Sequence, residues 1–288
     1  DQTVTVTVNG SNDAPVVTTP AGGQLGTARE AGHFDNGTSD GGSATVSGTL
    51  TASDVDTGAT RSWSIAGTPS TTYGSIAINA STGVWTYTLD NTLAATQALA
   101  EGQSVTQTFT ARVTDDQGAT ADQTITVTIN GSNDKPTVSS GTSWGNVSEA
   151  GNLDYGAVVN GTSSVSGTLV AADVDSGATG TWSIAGTPST AYGTIAINAA
   201  TGRWTFTLDN TLANTQALME GQYDSQTFTA RFTDDKGAYV DQTISIGIYG
   251  NNDQPVLTTS PAALIGTVRE AGHDDNGSID PGIASISG

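Results

Sequence analysis

Apolar residues and threonines alternate along short segments of this chain, and glycine, asparagine or aspartate separates one segment from the next. The segment DQTITVTING, residues 122–131, has the period of two that predicts a half-buried antiparallel strand. Two related segments place large apolar side chains on one face of a strand, at Trp85, Tyr87 and Leu89 and again at Trp204, Phe206 and Leu208. Only NTLAATQAL, residues 91–99, favours a short helix.

The chain contains a long internal repeat. TWSIAGTPSTAYGTIAINAATGRWTFTLDNTLANTQAL, which begins at Thr181, closely repeats the segment that begins at Ser62, at an offset of 119 residues. A unit of this length fits a β-sandwich domain of about seven strands and is too long for one rung of a solenoid. We therefore predict an all-β chain of tandem Greek-key sandwiches. Its predicted parts are the last strand of a preceding repeat (1–13), two complete repeats (14–134 and 135–253) and the first part of a following repeat (254–288).

Composition narrows the classes of partner. The 288 residues carry 28 acidic and 8 basic side chains, a net charge of −20, which argues against nucleic acid and anionic membrane surfaces as partners. No apolar run approaches the roughly 18 residues of a membrane-spanning helix. There is no cysteine, so a disulfide cannot stabilise these domains, and a bound divalent cation is the simplest alternative.

Acidic motifs recur in each repeat. Four kinds stand out: linker Asn-Asp pairs, Glu-Ala-Gly, Asp-Val-Asp and Leu-Asp-Asn. The linker pairs are Asn12/Asp13, Asn133/Asp134 and Asn252/Asp253; the glutamates are Glu30 and Glu149; the Asp-Val-Asp carboxylates are Asp54/Asp56 and Asp173/Asp175; the Leu-Asp-Asn aspartates are Asp90 and Asp209. A further pair, Asp115/Asp116 and Asp234/Asp235, is equally consistent with a metal role and with plain turn capping.

These oxygen-rich motifs favour a hard cation. Ca²⁺ takes six to eight oxygen ligands from carboxylates, amide and backbone carbonyls and water. A soft metal is excluded because the chain has no cysteine and only two histidines, His33 and His273. Catalysis by a Ser/His pair is disfavoured as well, since no histidine recurs in both complete repeats. The sequence therefore predicts a non-enzymatic, calcium-binding chain.

The motifs SGTLTASDVDTGA, YGSIAINASTGVWTYTLDN and TFTARVTDDQGATADQTITVTINGSND resemble the VCBS repeat of large bacterial adhesins, a cadherin-like sandwich. The resemblance implies calcium at the junctions between repeats. For the central junction it implies the ligands Glu30, Asp90, Asn133, Asp134, Asp173 and Asp175. Upstream it implies Asn12, Asp13, Asp54 and Asp56, and downstream Glu149, Asp209, Asn252 and Asp253, with the downstream Asp-x-Asp beyond Gly288.

The resemblance also implies a function. We expect extender repeats of a secreted or surface bacterial adhesin that calcium stiffens at each junction, in support of cell adhesion or biofilm. The expected partners are calcium and neighbouring repeats of the same chain. Two alternatives remain open: a self-assembling extracellular filament subunit that pairs with other copies of itself, and a module that binds a surface glycan. We expect Trp144 to be exposed, although a lone tryptophan is weak evidence for glycan binding.

Overall fold

The computed structural model describes residues 1–258, 266, 268–273, 275, 277–283 and 285. It contains two β-sandwich units of the same design, joined by a short linker. This confirms the predicted all-β class with tandem sandwich units. The helix favoured at residues 91–99 is also present, as α1 (Ala94–Gln97), and its counterpart is α2 (Ala213–Gln216). No helix in the described part of the chain is long and apolar enough to cross a bilayer.

Unit 1 contains two main sheets and two short strand pairs. Its strands are β1 (Val16–Val17), β2 (Leu25–Arg29), β3 (Gly32–His33), β4 (Ser39–Asp40), β5 (Thr45–Thr49), β6 (Ala52–Ser53), β7 (Arg61–Ile65), β8 (Gly74–Ile78), β9 (Val84–Leu89), β10 (Ser104–Asp115) and β11 (Thr120–Asn130). One sheet has the order β2-β11-β10-β7 and the other β5-β9-β8, while β1 pairs with β6 and β3 with β4. All these pairs are antiparallel except β2 with β11, which is parallel.

Unit 2 repeats this topology. Its strands are β12 (Thr137–Gly141), β13 (Trp144–Ser148), β14 (Gly151–Asn152), β15 (Val158–Val159), β16 (Ser164–Ala172), β17 (Gly180–Ile184), β18 (Gly193–Ile197), β19 (Arg203–Leu208), β20 (Tyr223–Asp234) and β21 (Tyr239–Tyr249). The sheets are β13-β21-β20-β17 and β12-β16-β19-β18. Here β16 is continuous where unit 1 has the separate strands β5 and β6, so β12 joins the second sheet directly.

The core of each unit lies between its two sheets. The predicted inward face is confirmed, since Trp85 and Tyr87 in β9 and Trp204 and Phe206 in β19 are fully buried. The indole N–H groups of Trp85 and Trp204 each donate to a backbone carbonyl; for Trp204 the acceptor is Thr142, at 2.7 Å. Burial therefore leaves neither donor unpaired. Phe206 in turn packs on Phe228 of the opposite sheet, with ring centroids 5.7 Å apart.

Glycine is required beside each core tryptophan. A Cβ atom on Gly48 would lie 2.7 Å from the Trp85 indole nitrogen, and one on Gly167 would lie 2.7 Å from the Trp204 ring. Any larger residue would therefore displace the ring that joins the two sheets.

The elements predicted at the two ends of the chain are only partly present among the described residues. Residues 1–15 form no strand, although the alternation of Val4, Val6 and Val8 predicts one, because strand formation needs a partner and the described residues offer none here. The predicted start of a further repeat at 254–288 lies partly outside the described residues. Within it, β22 (Gly272–His273) pairs with β23 (Ile279–Asp280) in the same register as β3 with β4.

Candidate functional site at the junction between the units

The linker between the units is buried, unlike most connecting segments of this length. Ser132, Asn133 and Asp134 are 3, 5 and 7% exposed. A charged aspartate is rarely buried without a partner. The buried linker is therefore a candidate functional site.

Three aspartates of unit 2 surround the linker. The amide Nδ2 of Asn133 donates to Oδ2 of Asp234 at 3.1 Å, and the backbone N–H of Asp134 donates to Oδ2 of Asp175 at 2.7 Å. The backbone N–H of Asp175 in turn donates to Oδ1 of Asp173 at 3.0 Å. The predicted Asp-x-Asp pair of unit 2 therefore meets the predicted Asn-Asp pair of the linker.

Unit 1 contributes a fully buried glutamate. Glu30 lies between β2 and β3 and is 0% exposed. Its Oε1 accepts a hydrogen bond from Nε2 of Gln97 at 3.1 Å, and its Oε2 accepts one from the backbone N–H of Ser132 at 3.3 Å. The backbone N–H of His33 also donates to the carbonyl of Asn133 at 2.6 Å. Glu30 is thus held from one side by α1 and from the other by the linker.

The carboxylates of this junction stand in an environment that disfavours negative charge. Burial, reinforced by the charges of Asp134 and Asp175, raises the pKa of Glu30 to about 8. Burial raises the pKa of Asp175 to about 6, and the pKa values of Asp134 and Asp173 are raised for the same reason. Among the described residues, no Lys or Arg forms a salt bridge with these four carboxylates, and only His33 approaches one, with Nδ1 3.8 Å from Oδ1 of Asp134.

Three buried carboxylate oxygens at the junction have no hydrogen-bond partner. They are Oδ2 of Asp134, Oδ2 of Asp173 and Oδ1 of Asp175. Orphaned buried oxygens are costly unless a cation or water satisfies them, so this donor set fits a hard divalent cation. No group of three acidic or histidine side chains is already arranged as a metal-binding set in the described part of the chain. The carboxylates would consequently have to draw together around a cation.

The structure does not bring Asp90 to this cluster, although the resemblance implies it as a ligand. Asp90 is exposed at the end of β9, and its Oδ1 accepts both the backbone N–H and the hydroxyl of Thr92. The next residue, Asn91, points the other way and bonds both the N–H and the carbonyl of Ala31. Asp209 and Asn210 repeat this arrangement in unit 2.

Of two further members of the junction, Asp234 was predicted only as one of two alternatives and Gln97 was not predicted. Asp234 caps its own turn and also contacts the linker. Its Oδ1 accepts hydrogen bonds from backbone N–H groups of the turn, while its Oδ2 accepts one from the side chain of Asn133. Gln97 carries no charge, so it does not belong to the acidic motifs from which metal ligands are predicted. Its recurrence as Gln216, which donates to Glu149 at 2.8 Å, was the available signal.

The upstream junction shows half of the same arrangement. Asn12 donates to Asp115 at 3.0 Å, the N–H of Asp13 donates to Asp56 at 2.8 Å, and the N–H of Asp56 donates to Asp54 at 3.0 Å. These bonds match those of the central junction one for one. The linker residues Asn12 and Asp13 are nevertheless exposed.

The downstream junction shows the other half. Glu149 is 0% exposed and accepts from Gln216 and from the N–H of Asn251. The N–H of Asn152 donates to the carbonyl of Asn252 at 2.6 Å, and Asp253 is exposed. Among the described residues, this junction shows no cluster of unpaired buried carboxylate oxygens comparable to the central one.

The raised pKa of Glu30 predicts a pH dependence in calcium-free buffer. An ordinary glutamate in the unfolded chain has a pKa near 4.3, so the folded state binds the proton more tightly. The stabilisation is complete below about pH 4.5 and is lost as pH rises through about 8. We expect the melting temperature to fall by several degrees between pH 5 and pH 8.5, as followed by circular dichroism.

The control for this experiment is Glu30→Gln, which keeps the shape and removes the titration. The slope of melting temperature against pH should become clearly shallower in that variant, with the remainder due to the other raised carboxyl groups. A wild-type chain whose melting temperature is flat over this range would contradict the assigned burial of an ionisable Glu30.

Comparison with known proteins places the sandwich among cadherin-like domains. The family model described as "Bacterial cadherin-like domain" matches residues 12–131. None of the curated proteins compared with the chain matches it.

Similar solved structures include PcdhgB3 EC1-4 (18% identity, 82% of this chain and 50% of that chain covered, TM-score 0.46) and mouse cadherin-23 EC22-24 (18%, 83% and 65%, 0.40). Human CDH23 EC21-23 is similar as well (15%, 83% and 69%, 0.42). The chain thus spans half to about two thirds of the length of these structures. Residues 12–131, which include unit 1, match the bacterial cadherin-like domain, and unit 2 repeats the sheet topology of unit 1.

Proposed function

We propose that this chain is a segment of an extracellular adhesion protein in which calcium bound at each junction stiffens an array of extender repeats. The central junction supplies the ligands Glu30, Asn133, Asp134, Asp173, Asp175 and Asp234. The equivalent upstream residues are Asn12, Asp13, Asp54, Asp56 and Asp115, and the downstream set begins with Glu149, Asn252 and Asp253.

A single observation carries the proposal: unpaired buried carboxylate oxygens from the linker and from unit 2 meet where no Lys or Arg among the described residues forms a salt bridge with them. Asp134, Asp173 and Asp175 each leave one buried oxygen unpaired. Such an arrangement costs free energy unless something positive enters it. Bound calcium would supply that positive charge and would be coordinated by oxygens of both units and of the linker at once.

The positions of these carboxyl groups determine how bound calcium would affect bending between the two units. Glu30 is anchored to unit 1 by Gln97, while Asp175 and Asp234 belong to unit 2. When these carboxyl groups are ionised and no cation is bound, their charges repel, which favours bending at the linker. When the same oxygens share one ligand, the relative orientation of the units is restricted. The buried linker, which already bonds to both units, is the hinge that becomes fixed.

The wider role rests on the family of the matched domain. Cadherin-like modules act in extracellular adhesion, and extracellular calcium modules commonly have dissociation constants of about 10⁻⁴ to 10⁻³ M. Affinities of this order would leave the junctions stiff in a calcium-rich exterior. We place the full-length protein at a bacterial cell surface or in its secreted material, where it would extend an adhesive region or support a biofilm.

The test is calcium binding and thermal melting of the 288-residue chain. Titration calorimetry should show calcium binding, and the melting temperature should rise by several degrees between EDTA and 10 mM calcium, since a ligand that binds only the folded state adds RT ln(1 + [L]/Kd). The absence of both effects would overturn the proposal. Concentration-dependent fibres that form equally with and without calcium would favour the filament function instead.

Two variants distinguish a calcium ligand supported by the contacts at the junction from one that only the family resemblance implies. Asp173→Asn should weaken calcium binding at least about tenfold, because it removes a carboxylate with an unpaired buried oxygen. Asp90→Asn should leave the calcium response unchanged, because this carboxylate only closes its own turn and an asparagine can do the same. Equal loss in both variants would contradict the ligand set proposed here.

A further inference from the structure

The outer face of one sheet differs between the two units in a concerted way. The sheets β2-β11-β10-β7 and β13-β21-β20-β17 have the same strand order and register, so each outward residue of unit 2 has a counterpart in unit 1. For example, Trp144 lies opposite Ser245 in unit 2, just as Leu25 lies opposite Thr126 in unit 1. Unit 1 therefore serves as an internal reference for unit 2.

Three exposed aromatic residues appear on this face of unit 2 where unit 1 has none. They are Trp144, Tyr223 and Tyr249, which replace Leu25, Ser104 and Asn130. Their exposed fractions are 65, 57 and 42%, so the aromatic rings are available to solvent rather than part of the core. Tyr223 and Tyr249 are cross-strand partners with ring centroids 5.1 Å apart. Exposed tyrosine and tryptophan clusters of this kind mark interaction surfaces.

Two residues between these aromatic side chains are smaller than their counterparts in unit 1. Gly247 and Ser245 stand in β21 where unit 1 has Thr128 and Thr126. A Cβ atom on Gly247 would lie 2.5 Å from the Asn146 side-chain oxygen and 3.0 Å from the Tyr223 ring, so these side chains lean over the space that the glycine leaves. Trp144 and Tyr249 flank Gly247 about 13 Å apart along the strands, from a rise of about 3.3 Å per residue. We refer to the surface bounded by Trp144, Tyr223 and Tyr249, with Gly247 between them, as the groove.

The polar groups that line this groove are uncharged and free. The hydroxyls of Ser225 and Ser245 and the amide nitrogen of Asn146 have no hydrogen-bond partner among the described residues. The nearest charged pair on the same face, Arg231 and Asp241, is self-satisfied at 2.7 Å. The groove therefore offers aromatic faces and neutral hydrogen-bonding groups in a chain that is otherwise strongly acidic.

The next repeat in an array would not cover this face. Ser104, the counterpart of Tyr223, remains exposed in unit 1 although unit 2 follows directly. Since the units share their junction contacts, the equivalent position in unit 2 should stay open when a further repeat follows it.

We propose that this groove, lined by Trp144, Tyr223, Tyr249 and Gly247, binds a neutral polysaccharide chain. A pyranose ring presents C–H groups on its faces, which pack on aromatic rings, and hydroxyls around its edge, which pair with serine and asparagine. An anionic polymer is disfavoured by the net charge of −20. Unit 1 lacks the aromatic residues, so binding belongs to unit 2 alone. This function is independent of calcium at the junction.

Tryptophan fluorescence provides a direct test. Trp144 is the exposed tryptophan, and the other four are at most 6% exposed, so a ligand at the groove should shift the emission of one residue. The full chain, at a fixed calcium concentration, is titrated with neutral hexasaccharides of β-1,4-linked glucose, β-1,4-linked mannose and α-1,6-linked glucose. We expect saturable binding of at least one. The absence of binding by all three at 10 mM would overturn the proposal.

Variants that restore unit 1 residues locate the binding. Gly247→Thr should weaken binding at least about tenfold with little change in melting temperature, because the exposed side chains of Asn146 and Tyr223 must move aside for the new Cβ while threonine suits a strand better than glycine does. Tyr223→Ser with Tyr249→Asn should have a similar effect. Tyr155→Asn, which removes an 81% exposed tyrosine from a loop of the same unit, should have no effect. Binding that survives in both groove variants would overturn the assignment, as would self-association in place of saccharide binding.

Discussion

Asp175→Asn is expected to stabilise the chain in EDTA and to lose much of that advantage in calcium. In EDTA at pH 8 the variant should be more stable than the wild type by about 2 kcal/mol, because it removes a carboxylate whose pKa is raised to about 6 by burial and by neighbouring carboxylates. In 10 mM calcium this advantage should shrink by about 1 kcal/mol, because the cation loses a ligand and binds at least about tenfold more weakly. Thermal melting in the two buffers measures both effects.

The matched control for this prediction is Asp154→Asn, which removes the same charge from an exposed loop of the same unit. Its stability should change by less than about 0.5 kcal/mol in either buffer. If Asp175→Asn destabilises the chain equally in both buffers, its role is structural and the cation site is wrong.

Trp204→Ala should produce the largest loss of stability in the chain, about 3–5 kcal/mol for unit 2. The side chain is fully buried between the two sheets and donates a 2.7 Å hydrogen bond to Thr142. Its removal leaves a cavity and also an unpaired carbonyl. Urea denaturation should then show two transitions, with unit 2 unfolding before unit 1.

The control here is another tryptophan. Trp144→Leu introduces the residue that unit 1 has at the equivalent exposed position, and it should change stability by less than about 0.5 kcal/mol. A large loss of stability in Trp144→Leu, or a small one in Trp204→Ala, would contradict the assignment of core and surface.

The sandwich and its core could be predicted from the sequence because both depend on local pattern. The alternation of Trp85, Tyr87 and Leu89 with threonines specifies which side of β9 is buried. The internal repeat then predicts the same for β19. The unpaired segment at residues 1–15 shows the limit of this reasoning, since alternation predicts a strand only where a partner is present.

The junction was predicted in part. The linker Asn-Asp pair meets the Asp-x-Asp of the following unit, as the resemblance implied. Asp90 does not reach the cluster because side chains at the end of β9 alternate in direction, which turns Asn91, and not Asp90, towards Ala31. Asp234 was uncertain because a turn-capping aspartate and a junction aspartate have the same sequence signature, and only the fold brings it to Asn133, 101 residues away.

The aromatic groove of unit 2 was not predicted. The sequence singled out Trp144 but gave no reason to connect it with Tyr223 and Tyr249, which are distant in the chain. The parallel pairing of β13 with β21 and the antiparallel pairing of β21 with β20 place all three on one face.

The most direct test of the central claim is small-angle X-ray scattering of the 288-residue chain in EDTA and in 10 mM calcium, with Asp175→Asn measured alongside. We predict that calcium increases the radius of gyration and the maximum dimension of the wild type, as a hinged pair of units becomes a straight one, and that the variant needs at least about ten times more calcium for the same change. Scattering curves of the wild type that superimpose in the two buffers would show that the junction is not stiffened by calcium, and would contradict the account.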